Sequence, residues 1–237
     1  MSQEFDSYFA EVEKRHAGND FITIHCRRYA ISMAWIAADL ALPAVKTVLD
    51  IGSPSPFTHA VRHFFPELRV DNTRPADLRT VFTDKRDHYD FIINMEVIEH
   101  INDLEAKDAL HLESYAGDGL KNFVNTCFMA LKPGGKMFLT TPNLSSYGAI
   151  WRAMLGWDPY SYDLHVRELS VNELHHILAH AGFKIVHYET RDCYKDDVPI
   201  QVIPGLRDLL QAHNCQVDYR LQVQFVMALK PANGAGG

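Results

Sequence analysis

Hydrophobic and polar positions along this chain follow two periods, and the switches between them mark the elements. Phe5, Tyr8, Phe9 and Val12 recur at helical spacing and predict a short amphipathic helix over residues 1–16. Ile31, Ala34, Trp35, Ala38 and Leu42 repeat the same way and predict a second helix over about 21–42. Val48, Leu49 and Asp50 form a short apolar strand that ends on an acid and turns through Gly52; a helical pattern then opens near Pro56 and stops at Pro66. Leu68–Val70 predicts the next strand, ending in Asp71. Only 18 residues separate Asp71 from Tyr89, which leaves too little chain for a full helix and strand between them. Phe91–Met95 is mostly apolar and reads as a strand buried on both faces.

A helix is expected from Val97, then an irregular excursion through Tyr115–Gly119. Leu120, Phe123, Val124, Cys127 and Leu131 form the stripe of a further helix, ended by Pro133-Gly134-Gly135, where proline removes a donor and glycine permits positive φ. Lys136–Thr141 predicts another strand. Residues 144–169, with Trp151, Trp157, Tyr160, Tyr162 and His165, interrupt the alternation and read as an insertion over the carboxyl edge of the sheet. Ser170 and Glu173 make a capping box, Leu174, Ile177, Leu178 and Ala181 the apolar stripe, and Gly182 the stop. Phe183–Thr190 and Tyr219–Lys230 are the last predicted strands, with a short helix within 191–216. The alternation implies an α/β fold in one domain over 1–230. Its N-terminal helical cap covers 1–42, and a disordered tail covers 231–237.

Composition narrows the partners. The 237 residues are 47% hydrophobic and 22% charged, with a net charge of −7, and hold no long basic run. Nucleic-acid binding is therefore not expected, because it needs a basic face to displace counterions. Cys26, Cys127, Cys193 and Cys215 are scattered and suit free thiols in a reducing compartment. The polar, acidic N-terminus does not read as a signal peptide, and no apolar run reaches membrane-spanning length. Cytoplasmic location without membrane contact is the expectation, and a homo-oligomer is compatible with it.

Three segments carry a resemblance. Val48-Leu49-Asp50-Ile51-Gly52-Ser53-Pro54-Ser55-Pro56 resembles the first motif of the class I methyltransferases that use S-adenosylmethionine (SAM), although Pro54 and Pro56 stand where the family has glycines. Tyr89–His100 is similar to the family's fourth-strand motif, an aromatic-Asp pair, an apolar strand and Glu-His. Leu131–Leu139 is similar to the helix stop and fifth strand. The resemblance spans about residues 45–190 and is strongest to the small-molecule branch of ubiquinone-pathway and natural-product O-methyltransferases. It implies a Rossmann-like, doubly wound, mostly parallel sheet of seven strands with helices on both faces and a final antiparallel strand. It also implies SAM as cofactor and a small-molecule acceptor, methylated at oxygen. The cofactor positions it implies are Asp50, Gly52 and Ser53 in the first loop. To these it adds Asp71 and Asn72 at the ribose, Asp77 and Leu78 at the adenine, and Asn94, Met95 and Glu96 at the methionine moiety.

Methyl transfer from a sulfonium needs alignment and exclusion of water, plus a base when the acceptor is a hydroxyl. His100, in the Glu-His pair, and His165, before Val166-Arg167-Glu168-Leu169-Ser170, are the candidate bases; each could equally serve packing. His175, His176 and His180 invite a metal reading, but no acid is obviously placed beside them, so no metal is expected. Two rivals stay open. A non-catalytic relative could have lost SAM through Pro54, whose ring fills space the family keeps bare. An oxidoreductase on NAD would want a Gly-x-Gly-x-x-Gly loop, and the chain offers one glycine there.

Overall fold

A computed structural model describes residues 2–73, 76–103, 119–194 and 198–232. Among these the elements in order are α1 (Ser2–Arg15), α2 (Asp20–Leu40), β1 (Thr47–Asp50), α3 (Pro56–Phe64), β2 (Arg69–Asn72) and β3 (Tyr89–Met95). A 3-10 turn (Ile98–His100) follows, then α4 (Gly119–Ala130), β4 (Leu131–Pro142), α5 (Tyr147–Met154), α6 (Val171–His180), β5 (Lys184–Arg191), α7 (Val202–Ala212) and β6 (Val223–Leu229). The strands form one sheet in the order β2-β1-β3-β4-β6-β5. The β1–β2, β1–β3 and β3–β4 pairings are parallel, whereas β6 runs against both β4 and β5.

Alternate residues of each strand feed two separate cores. Val48, Ile93, Phe138 and Phe225 pack with Phe9, Met33, Ile36 and Phe57 of α1, α2 and α3. Leu49, Ile92, Leu139 and Val226 pack with Phe123, Cys127, Leu174 and Leu178 of α4 and α6. Burial on both faces is why these strands read as continuous apolar runs rather than as alternating ones. The sheet is therefore doubly wound, and among the described residues it has six strands rather than the expected seven, five of them running in one direction and β6 against its neighbours. Among the described residues no strand lies between Asn72 and Tyr89, so the short crossover returns β2 directly to β3 on the far side of β1.

Local physics explains the ends. Ser55 caps α3 in a reciprocal box with Thr58, and Pro56 sits in the first turn, where its missing N–H has no intrahelical partner. Ser170 and Glu173 form the expected box on α6. Gly135 lets β4 run close beside β3: a Cβ there would lie 2.9 Å from the Lys132 carbonyl oxygen and 3.1 Å from that of Asp90. Asp90, at the opposite edge of the sheet from the site, accepts from Lys46 N, Thr47 N, Thr47 Oγ1 and Lys132 Nζ and ties β1 to β3.

Several expectations need correction. The buried stripe of α2 is Tyr29, Met33, Ile36, Ala37 and Leu40, while Ala34, Ala38 and Leu42 are exposed. Apolar residues lie all round this helix, so periodicity alone offered two stripes. β2 begins one residue later than expected and takes Asp71 and Asn72 into the strand, because its register is set by pairing with Leu49 and Asp50. β4 starts at Leu131, ahead of the Pro133-Gly134-Gly135 stop, which becomes an irregular stretch of strand. Most of the excursion Tyr115–Gly119 and of the tail 231–237 lies outside the described residues.

Candidate active site

The carboxyl ends of β1, β3 and β4 meet under α2, and this is where the polar side chains of the interior collect. β1 delivers Asp50, which is 6% exposed. Its carboxylate accepts from Thr58 Oγ1 and, at 3.4 Å, from Asn72 Nδ2. Burial raises its pKa to about 6 against the opposing pull of these hydrogen bonds. Asp50 thereby ties the first turn of α3 to the end of β1 and sets the path of the intervening loop. Gly52 turns that loop at φ +106°, a conformation that favours glycine, and its N–H donates to Thr73 Oγ1 at 2.7 Å. Ser53 and Pro54 are exposed, so the Pro54 ring stands outside the packed interior.

β3 delivers Asn94, Met95 and Glu96, the last at φ +54°. Asn94 is fully buried, and neither its amide oxygen nor its nitrogen has a hydrogen-bond partner. Glu96 faces Arg28 of α2, with an Oε1–Nη1 distance of 3.5 Å. Arg28 is buried, donates to Thr140 Oγ1 at 3.2 Å and lies 3.2 Å from His25 Nδ1. Burial, and then the Arg28 charge, lowers the His25 pKa to about 3, so its ring is neutral and can accept that bond. Tyr194 completes the group by donating to Glu96 Oε2 at 3.2 Å, and burial followed by the Glu96 charge pushes its phenol well above the usual range.

The turn after β3 delivers Glu99 and His100, and the insertion returns to meet them. Val166 N–H and Arg167 N–H both donate to the Glu99 carbonyl, at 3.1 and 3.2 Å. The His165 ring lies edge-on to that of His100 with centroids 4.9 Å apart. Glu99 is fully buried, and its carboxyl is held well above the usual carboxylate range, first by burial and then by the Glu96 charge. Further out, Trp157, Tyr162 and Leu164 are 63%, 51% and 66% exposed, so this part of the insertion presents its apolar side chains to solvent.

The expected residues thus separate into groups. Asp50, Gly52, Asn94, Met95, Glu96, His100 and His165 gather along one edge of the sheet. Asp71 lies on the other face of β2 from Asn72, where burial would raise its pKa but Lys85 at 2.8 Å, Arg69 at 3.2 Å and Tyr89 hold it low. Asn72 bridges the Asp50 carbonyl and Arg62. Asp77 is bound by both arms of Arg79, and Leu78 packs on the second core. Arg28, His25 and Tyr194 were not legible in advance. An arginine and Ser32 one turn apart on the buried side of an apolar helix were the available signal, had the right side been chosen.

A family model of the methyltransferase domain matches residues 17–188, which include α2, β1, α3, β3, β4 and the insertion but not Tyr194. The chain belongs to the class I SAM-dependent methyltransferases. Among the members it resembles, a Mycolicibacterium smegmatis protein described as a probable S-adenosylmethionine-dependent methyltransferase is 25% identical over 75% of this chain and 56% of its own length. The ubiquinone biosynthesis O-methyltransferase of Chelativorans sp. is 29% identical over 45% of the chain and 38% of its own. The chain thus spans about half or less of the curated relatives it matches. A SAM-dependent methyltransferase from Archaeoglobus fulgidus superposes with a TM-score of 0.55 at 15% identity, covering 89% of this chain and 99% of that one, which shows the shared methyltransferase fold. No helix among the described residues is long and apolar enough to cross a membrane.

Proposed function

We propose that this protein transfers a methyl group from SAM to a hydroxyl of a small molecule held between α2, the β3–β4 edge and the insertion. One observation carries the reading. Among the described residues few buried side-chain polar atoms lack a hydrogen-bond partner, and four of the side chains bearing them, Arg28, Asn94, Glu96 and Glu99, stand at this edge. Each such group costs roughly 1–3 kcal/mol when nothing binds it, so their concentration at one place marks where a polar ligand belongs. The family assignment supplies the ligand. SAM provides a methyl group already activated on a sulfonium.

The chain's own residues then have distinct tasks. Asn94 offers an amide donor and acceptor to the methionine moiety. Asp50 and Thr58 fix the loop that approaches the nucleoside. Arg28 locks Glu96 and closes α2 over the edge, which keeps water from the reacting atoms. Glu99, His100 and His165 face the place where an acceptor would enter, and they are the groups able to draw a proton from a hydroxyl. Oxygen as the acceptor atom rests on this cluster and on the distant likeness to ubiquinone-pathway O-methyltransferases. The aromatic insertion suits a ring-bearing acceptor, since specificity in such folds lives in added loops.

The test is a labelled-methyl assay with matched phenol, catechol and aniline acceptors. Incorporation into the hydroxylated compounds, with the aniline at least tenfold slower, is the expected result. Preferential labelling of the aniline would remove oxygen as the acceptor atom.

A further inference from the structure

We propose that the insertion and the cavity beside α7 form a reciprocal, two-fold interface with a second copy of this chain, in which Trp157 of each protomer enters the other's cavity next to Arg207. The association rests on surface chemistry alone; its effect on turnover rests on the methyl-transfer reading above.

The insertion supplies the knob. Arg152 Nε and Nη2 both donate to the Pro159 carbonyl, at 3.1 and 3.0 Å, and Trp157 N–H donates to the Arg152 carbonyl at 3.0 Å. These bonds close residues 152–159 into a loop that carries an exposed indole. Met154, Leu155, Tyr162, Leu164 and Val166 are exposed in the same stretch of chain. Soluble monomers rarely leave so much apolar surface together, and tryptophan, tyrosine and arginine are the usual anchors of protein contacts. Asp158 and Asp163 are exposed between these side chains and make the knob acidic. An anionic lipid surface would repel it, whereas a basic protein surface suits it.

The cavity lies at the other end of α5. Tyr147 N–H donates to the Arg220 carbonyl at 3.0 Å, and Arg220 Nη1 donates to the Ser145 carbonyl at 2.8 Å, so the first turn of α5 is fixed to the cavity wall. The cavity holds about 420 Å³, and Tyr147, Glu189, Arg207, Asp218, Tyr219 and Arg220 are among its lining residues. The Tyr219 ring stands edge-on to Tyr188 with centroids 4.9 Å apart, which makes it a fixed aromatic wall. Glu189 is neutralised by Arg191 at 2.7 Å, and Arg207 and Arg220 then outnumber Asp218. The hole is net basic where the knob is acidic.

The eight residues of α5 span about 12 Å, so knob and hole lie side by side, and one two-fold axis satisfies both pairs at once. The six apolar side chains of the insertion and Tyr219 expose roughly 800 Å² per copy, about what a standard interface takes from each partner. The same insertion carries His165 and hangs on the Glu99 carbonyl through Val166 and Arg167. Holding its outer loop in the partner's cavity steadies the acceptor side and keeps water from it, so the dimer is the faster enzyme.

The test is sedimentation of the full-length protein at micromolar concentration without ligand, with melting and SAM binding of every variant as the check on folding. A reversible dimer is expected, and Trp157→Ala should weaken it at least about tenfold. Asp158→Arg and Arg207→Asp should each weaken it, and the two together should restore it. A monomer throughout, a dimer indifferent to Trp157→Ala, or a charge swap that restores nothing overturns the interface. So does a monomer that co-sediments with phosphatidylglycerol vesicles through Trp157, because a membrane is then the occupant. Each of these leaves methyl transfer standing. A dimer that fails to bind SAM keeps the interface and removes its effect on turnover.

Discussion

Arg28→Ala is expected to lower the unfolding free energy by about 3–5 kcal/mol, because it leaves Glu96 as an unpaired charge in a closed interior. The side chains of this pair are 3% and 14% exposed, so solvent cannot take over the role of the guanidinium. Thr140 Oγ1 and His25 lose their donor in the same step. Methyl transfer should disappear with it, since α2 is held over the β3–β4 edge by this side chain. A double variant, Arg28→Met with Glu96→Gln, separates the two effects. It should regain at least half of the lost stability, because no uncompensated charge remains, and should stay inactive. Urea unfolding of wild type, Arg28→Met, Glu96→Gln and the double variant gives the coupling directly. An Arg28→Ala loss under about 1 kcal/mol would mean that the ion pair is not closed in solution.

Asp50→Asn is expected to stabilise the fold at neutral pH while weakening the cofactor. Burial raises the folded-state pKa of Asp50 to about 6, above its ordinary 3.8, so the folded protein holds this proton more tightly than the unfolded chain. Stability from this group is full below about pH 4 and falls as pH rises toward 6, where the cost of the buried charge approaches about 3 kcal/mol. The asparagine variant should therefore match wild type in melting at pH 4 and exceed it at pH 7.5. Its SAM affinity should drop about tenfold, because the Thr58 hydroxyl then bonds a neutral oxygen and holds the loop less firmly. A constant difference in melting across this pH range would show that Asp50 titrates as an exposed carboxylate does.

Much of the architecture was legible because it rests on local chemistry. The capping residues Ser55 and Ser170, the apolar strand 91–95 and the helix stop at Gly182 each declare themselves within a few residues. What was not legible depends on long-range pairing. No local pattern says that Asp71 faces Lys85, Arg69 and Tyr89, since the face follows from the register of β2 on β1. Among the described residues no strand lies between Asn72 and Tyr89, in keeping with the short crossover that the spacing had indicated. Nor could periodicity choose which side of α2 is buried, and that choice hid Arg28. His100 and His165 are far apart in sequence and were singled out separately; the insertion brings them together by hanging Val166 and Arg167 on the Glu99 carbonyl. Glu99, not singled out in the sequence beyond its place in the Glu-His pair, is the fully buried acid beside them.

The most direct measurement is a calorimetric titration of the folded protein with SAM and with its demethylated product. One equivalent of each, bound with micromolar affinity, is the predicted result. It would require the Gly52 loop to admit the nucleoside despite Pro54, and the Asn94–Glu96 edge to take up the methionine moiety. No heat with either ligand, from protein that melts cooperatively, would contradict the account. Thr73 on Gly52 and Lys85 with Arg69 on Asp71 would then be permanent internal partners, and the protein a binding or scaffolding member of the family.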